Sequence, residues 1–268
     1  MGDRRLHDLA VRGFGSSGER YEQGRPDYPP AGVALLVAHL GIGPGTTVAD
    51  VGAGTGKLTR ALVASGASVI AVEPLADMRD RIPATAPRAV PFDGTAEAMA
   101  LRDGSIDAIT VAQAFHWFDG PRALAEFHRV LRPGGRLGLI WNERDRDTAW
   151  VAAFDRIIDA VDPERPDHAL GRWRPAFTGT RLFTPLEHET VPYAQVHSLP
   201  DGLVGRMATV SSVAALGAEA QERVFEQVRE LVRTHPMLAG RSEITLPYRT
   251  HLYWCTRIDA PVAAMGRR

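Results

Sequence analysis

Cysteine is all but missing from this sequence: Cys255 stands alone, which excludes an internal disulfide and any cysteine-built zinc cluster. It lies in an apolar, strand-like run and reads as core. Long apolar runs are missing as well. No stretch approaches the roughly 18 consecutive apolar residues that a membrane span needs. The polar start MGDRRLHDLAVRGFGSSGER lacks the apolar run and small-residue cleavage site of a secretory signal. A cytoplasmic location is the expectation. Nor does one sign of charge dominate, with 31 basic against 32 acidic residues and no basic block, so the electrostatic footprint for a phosphate backbone is absent. Neither nucleic acid nor a membrane is expected as a partner, and no metal is expected.

What is present is the composition of a soluble globular protein, 44% hydrophobic and 24% charged, on a chain of 268 residues, near the upper end of what one core serves. Short β-branched runs at 46–51, 68–72, 88–92, 106–112 and 136–141 alternate with helical spacing at 55–65, 75–81 and 122–131. That alternation is the signature of successive βαβ units and a mostly parallel, doubly wound α/β sheet. LRPGG after the third helical run supplies the Pro and Gly that end a helix. Beyond residue 141 the pattern changes to a helix at 148–161, a Pro-, Arg- and Trp-rich stretch at 162–185, and strands at 186–197 and 243–257 bracketing a helical cap that includes 218–233. The expected organisation is one domain over 1–268: a covering N-terminal segment (1–45), a ligand-binding core (46–141), and lid and cap elements (162–240).

The segment VADVGAGTGKLT, residues 48–59, sets Gly52, Gly54 and Gly56 directly after a strand and before a helix, where ligands reach the carboxyl edge of a parallel sheet. The dinucleotide fingerprint G-x-G-x-x-G would put its third glycine where Lys57 stands, so the spacing disfavours NAD. Asp50, two residues before the first glycine, would repel a pyrophosphate but suits the ammonium of a methionine moiety; fixing the turn is its plainer reading. Glu73 ends the strand VIAVEP, 21 positions after Gly52, where an acid accepts ribose hydroxyls. NAD and S-adenosylmethionine both carry that ribose.

VADVGAGTGKLT, VIAVEP, FDGTAEAMAL, ITVAQAFHWFD and LRPGGRLGLIW, in this order over residues 48–141, resemble the successive motifs of class I S-adenosylmethionine-dependent methyltransferases. The AQAFHWF strand end and the segment RYEQGRPDYPP at 20–30 look most like the small-molecule enzymes of the trans-aconitate methyltransferase-like, type 11 subgroup. The resemblance implies a seven-stranded sheet, S-adenosylmethionine as methyl donor and S-adenosylhomocysteine as product. Gly52, Ala53 and Gly54 would line the methionine and ribose, Glu73 the ribose hydroxyls, and Pro74 one adenine face. Thr95 stands where the family often has an acid for the adenine amino group, so Ala96 and Glu97 are candidates to take over. Ala112 and Gln113 would approach the methionine ammonium and Trp117 would pack on the cofactor, while Tyr21 and Arg25 from the N-terminal segment would fold over it, Arg25 meeting the methionine carboxylate.

Methyl transfer is an in-line displacement that needs alignment in a dry pocket more than a strong catalytic group. His116 is the candidate base for a phenol or alcohol acceptor, with a structural histidine as its competing role. Tyr28, Phe115, Trp141, Asn142 and Arg144 are the candidate substrate-facing residues, with Trp173 and Tyr193 beside them; Arg172 and Arg174 either clamp an acidic substrate or decorate a lid. Two rival functions share these features: an NAD-dependent oxidoreductase, and a methyltransferase-like fold that binds the cofactor without transferring methyl. The acceptor and the choice between monomer and homodimer are left open.

Overall fold

Strand β1 (Thr47–Val51) shows how the sheet is buried, because its successive side chains enter different cores: Val48 joins one cluster, Ala49 and Val51 another. Both faces of the strand are therefore covered, as parallel sheets require. The structure is a computed structural model that describes residues 26–163, 168 and 171–259. In chain order its elements are α1 (Pro30–Leu40), β1, α2 (Lys57–Ala64), β2 (Ser68–Val72), α3 (Ala76–Arg79), α4 (Ile82–Thr85), β3 (Val90–Phe92) and β4 (Ile106–Ala112). They continue with α5 (Gly120–Val130), β5 (Leu131–Arg144), α6 (Ala149–Val161), β6 (Glu187–Ser198), α7 (Asp201–Ala208), α8 (Ser211–Ala214), α9 (Ala218–Thr234) and β7 (Glu243–Thr256). Single 3-10 turns lie at Phe115–Trp117 and Arg174–Phe177.

The seven strands form one sheet in the order β3-β2-β1-β4-β5-β7-β6. The β1–β2, β1–β4, β2–β3 and β4–β5 pairs are parallel, while β7 runs antiparallel to both β5 and β6. The order reverses at β1, so the crevice opens between the ends of β1 and β4, the place where such sheets bind ligands. Helix α5 packs one face through Ala123, Leu124, Phe127 and Val130. Helices α1 and α2 pack the other through Leu36, Leu40, Leu58 and Leu62. Gly138 in β5 lets α1 approach, since a Cβ there would lie 2.6 Å from a Leu40 methyl.

Three local departures have physical causes. The expected helix over 75–81 is the shorter α3, with α4 starting beyond it at Ile82, because Pro83 has no N–H for a continuing helix but suits the first turn of a new one. LRPGG ends α5 as expected yet already belongs to β5: pairing jumps from Ile106–Leu131 to Ala108–Arg136, so residues 132–135 bulge out of register. Helix α1 escaped notice in the sequence because PAGVALLVAHL is apolar on nearly all sides and shows no periodic stripe.

The cap has its own core. Helices α7, α8 and α9, inserted between β6 and β7, bury Leu203, Met207, Val213, Val224 and Val228 against Trp150, Phe154 and Ile158 of α6 and against Leu246 and Tyr248 of β7. This third cluster projects the cap over the carboxyl end of β5.

Candidate active site

The first wall of the site is made of backbone. After β1 the chain turns through Gly52 at φ +67°, and the Gly52 and Ala53 N–H groups both donate to the Val72 carbonyl at 2.9 and 3.1 Å. A Cβ on Gly52 would sit 2.8 Å from the Ala114 methyl, so glycine is required both for the conformation and for the space. The Gly54 N–H donates to one Glu73 carboxylate oxygen at 2.9 Å and the Leu75 N–H to the other at 3.0 Å. Facing this turn, β4 is followed directly by Gln113, a non-glycine residue at φ +56°, a strained conformation of the kind that clusters at functional sites. It is held by its N–H on the Ile140 carbonyl at 2.9 Å and its side-chain amide on the Asn142 carbonyl at 3.1 Å.

Two acids underpin that wall. Asp50 is fully buried, accepting from the Thr59 hydroxyl at 2.6 Å and the Thr110 hydroxyl at 2.9 Å. Burial pushes its carboxyl up to about 6, against the pull of those two hydroxyls. Glu73 is also raised by burial, with its two backbone donors and Arg79 opposing. Arg79 in turn donates to the Glu73 and Pro74 carbonyls at 2.7 and 3.0 Å and pairs with Asp93, fixing the rim beside them.

The second wall is made of side chains. At the end of β5, Asn142 donates to the Asp27 carbonyl at 3.0 Å and accepts from Thr250 at 2.6 Å. Arg144 and Arg146 converge on Asp155 of α6, which is 2% exposed. Glu143 accepts from His168 Nδ1 at 3.1 Å and His251 Nε2 at 3.3 Å. Burial opposes its ionisation, yet the two imidazoles together hold the carboxyl well below its usual range. From the cap, buried Arg206 donates to the Tyr248 hydroxyl at 3.2 Å and to Thr209 at 2.8 Å. Both walls, with Lys57, the chain's only lysine, border one cavity of about 210 Å³.

Residues 49–139 match the methyltransferase domain family. The chain is 40% identical over 238 residues to an uncharacterized methyltransferase of Mycobacterium tuberculosis, spanning 88% of this chain and 92% of that relative. It is 32% identical over 234 residues to an uncharacterized methyltransferase of Schizosaccharomyces pombe, spanning 87% and 92%. The chain belongs to the methyltransferase family. In fold, the methyltransferase is similar to the solved YcgJ protein of Bacillus subtilis, with a TM-score of 0.56 at 18% identity over 86% of this chain and 99% of that one.

Within the methyltransferase, Tyr28, Gly52, Ala53, Gly54, Ala112, Gln113, Trp117, Asn142 and Arg144 border the cavity, and so does the candidate base His116. Tyr21 and Arg25 lie outside the described residues. Asp50 is not on the cavity wall: its carboxylate is spent between β1, α2 and β4, which gives it the turn-fixing role. Glu73 and Pro74 lie just beyond the cavity, Glu73 behind the Gly54 N–H and Pro74 exposed. Thr95 bridges to Ala98, and Ala96 is core. Glu97 accepts the Asp119 N–H at 2.9 Å and so ties the third-strand loop to the start of α5.

Phe115 and Trp141 lie in the core and not on the cavity wall; each is 1% exposed. Phe115 packs among Phe118, Phe127, Trp173 and Phe177, and Trp141 stacks on Trp173 at 4.8 Å between ring centres. A large apolar ring is more favourably placed in the core, whatever motif it stands in. Arg174 lies over Trp173 and donates to the Tyr253 hydroxyl at 2.8 Å, so it braces the lid; Arg172 is exposed. Tyr193 on β6 sits against Tyr248, outside the cavity. Trp141 Nε1–H, which only donates, meets His116 Nδ1 at 3.3 Å. Neutral His116 thus carries its hydrogen on Nε2, a donor's arrangement rather than a base's. Asp155, His168, Arg206 and His251 were missed, and Glu143 was included only as part of the WNERD segment at 141–145; their scattering over more than a hundred positions left no spacing to notice. Among the described residues no helix is long and apolar enough to cross a membrane, and no group of three or more His, Cys, Asp or Glu is arranged to hold a metal.

Proposed function

We propose that the chain transfers a methyl group from S-adenosylmethionine to a small-molecule acceptor, with the backbone wall holding the donor and the side-chain wall holding the acceptor. The observation that carries this reading is that one cavity joins Gly52–Gly54 to Asn142, Arg144 and Arg206. The fit to the donor rests on the glycine turn, whose Gly52, Ala53 and Gly54 border the cavity, and on Glu73, a buried carboxylate whose two backbone donors leave acceptor sites for ribose hydroxyls. When bound, S-adenosylmethionine supplies a carbon already activated by its sulfonium. Gly52, Ala53 and Gly54 line its methionine and ribose portion, and the strained Gln113 presents its carbonyl to the ammonium. Trp117 and Tyr28 exclude water from the shared cavity, so that the acceptor is aligned and desolvated in one step.

Titration calorimetry of the cofactor-stripped protein tests the reading. One-site binding of S-adenosylhomocysteine with none of NADH is expected; the reverse overturns it. Glu73→Ala should weaken S-adenosylhomocysteine roughly 10- to 100-fold, the worth of hydrogen bonds to a charged group. A folded variant binding like wild type would remove Glu73 from the site.

A further inference from the structure

His168 lies in the lid stretch between α6 and the Arg174–Phe177 turn, 8% exposed, and borders the cavity. Its Nδ1 meets a Glu143 oxygen at 3.1 Å. An ionised carboxylate only accepts, so Nδ1 carries the hydrogen and, in the neutral ring, Nε2 carries the lone pair. That Nε2 is buried and has no hydrogen-bond partner among the described residues, an arrangement that calls for a donor. The ring cannot swing away: it is packed on Trp141 with ring centres 4.5 Å apart and on Trp173 at 5.6 Å.

Behind Glu143 the hydrogens run in one direction. His251 Nε2 meets the same carboxylate oxygen at 3.3 Å, leaving its Nδ1 to accept from His188 Nε2 at 3.0 Å. Glu143 is thereby anchored from β7 and β6 while it orients His168, the arrangement by which a carboxylate fixes an imidazole tautomer. His116, by contrast, has its Nδ1 lone pair occupied by Trp141.

Resting on the methyl-transfer reading above, we propose that His168 is the general base of the reaction, positioned by Glu143 and His251, and that the acceptor is a small, weakly acidic O–H compound such as a phenol or enol. The acceptor O–H bond breaks and its proton goes to His168 Nε2. The oxygen pair forms the new O–CH3 bond, while the S–CH3 bond breaks and its pair stays on sulfur as a neutral thioether. The imidazolium is balanced by Glu143 and loses its proton to solvent after product leaves. A carboxylate acceptor, already ionised, would have no use for this group.

The test uses the full-length protein and has two arms. Nitrogen-15 NMR of the histidine rings, with and without S-adenosylhomocysteine, should show His168 with a protonated Nδ1 and a bare Nε2 at pH 8. A hydrogen on Nε2 instead overturns the proposal whatever the acceptor. With labelled S-adenosylmethionine, His168→Asn should reduce transfer to p-cresol by roughly 100-fold or more, reduce transfer to the more acidic 4-nitrophenol far less, and leave S-adenosylhomocysteine affinity unchanged. Equal losses on both phenols, or preferred transfer to benzoate, overturn it. Glu143→Gln should move the rising limb of the pH–rate profile to lower pH, because the imidazolium loses its counter-charge. The groups that set this limb are Glu143 on β5, His251 and Tyr253 on β7, His188 on β6 and Arg174 of the lid. Failure of wild-type protein to bind S-adenosylhomocysteine would sink the methyl-transfer reading itself, which distinguishes the two.

Discussion

The two walls of the cavity are built by different means. Around Gly52–Gly54 and Gln113 the working groups are main-chain N–H and carbonyl groups delivered by strand ends, and the buried Asp50 and Glu73 stand behind them. Around Glu143, Arg144 and Arg206 the working groups are polar and charged side chains from β5, α6, the lid, the cap and β7, each held by another side chain. A backbone wall tolerates almost any residue that keeps the turn, but it fails when a Cβ intrudes. A side-chain wall keeps its shape under small intrusions, but it fails when one charge is left without its counterpart.

The largest expected effect is on the second wall. Asp155→Ala leaves Arg144, 11% exposed, without its acid and should lower unfolding free energy by about 3–5 kcal/mol in urea titrations, with S-adenosylhomocysteine affinity unchanged. If affinity falls as well, the two walls are one unit and the contrast is wrong. Next is Gly52→Ala: the left-handed conformation alone costs about 1–2 kcal/mol, the contact with Ala114 adds to it, and S-adenosylhomocysteine binding should be lost by calorimetry. Retention of binding would show that the turn can shift without consequence.

The smallest effect sharpens the role of Asp50. Its folded-state value of about 6 lies above the ordinary 3.8, so the protonated carboxyl stabilises the fold fully at low pH, and that contribution is lost as pH rises from about 4 through about 6. Asp50→Asn should remove this part of the slope, seen by comparing denaturation midpoints of both proteins across that window. An unchanged slope would mean that Asp50 ionises without penalty.

The backbone wall was legible because its parts are neighbours in sequence: glycine spacing at 52–56, an acid at 73 and a strand end at 112–113 are all local patterns. The alternation that betrays βαβ units gave the strands for the same reason. Phe115 and Trp141 were misplaced because a motif position says nothing about which way a ring turns, and apolar burial decided it. His168 was invisible. Its meaning comes from Glu143 and His251, 25 positions before it and 83 after it, brought together only by the pairing of β5 with β7. Arg144 was noticed as a substrate contact, yet its acid on α6 was not, since no short-range rule links a strand end to the next helix.

The last of the seven described strands, β7, occupies an inner place in the sheet, between β5 and β6. As the chain leaves the ribosome, the parallel strands and the glycine turn are available well before β7 exists, while β6 has no neighbour to pair with until it arrives. The two walls of the cavity therefore come into being at different times, and His251 closes the circuit behind Glu143 only after the other six strands have been made. The glycine turn is thus complete in sequence long before the strand that completes the opposite wall.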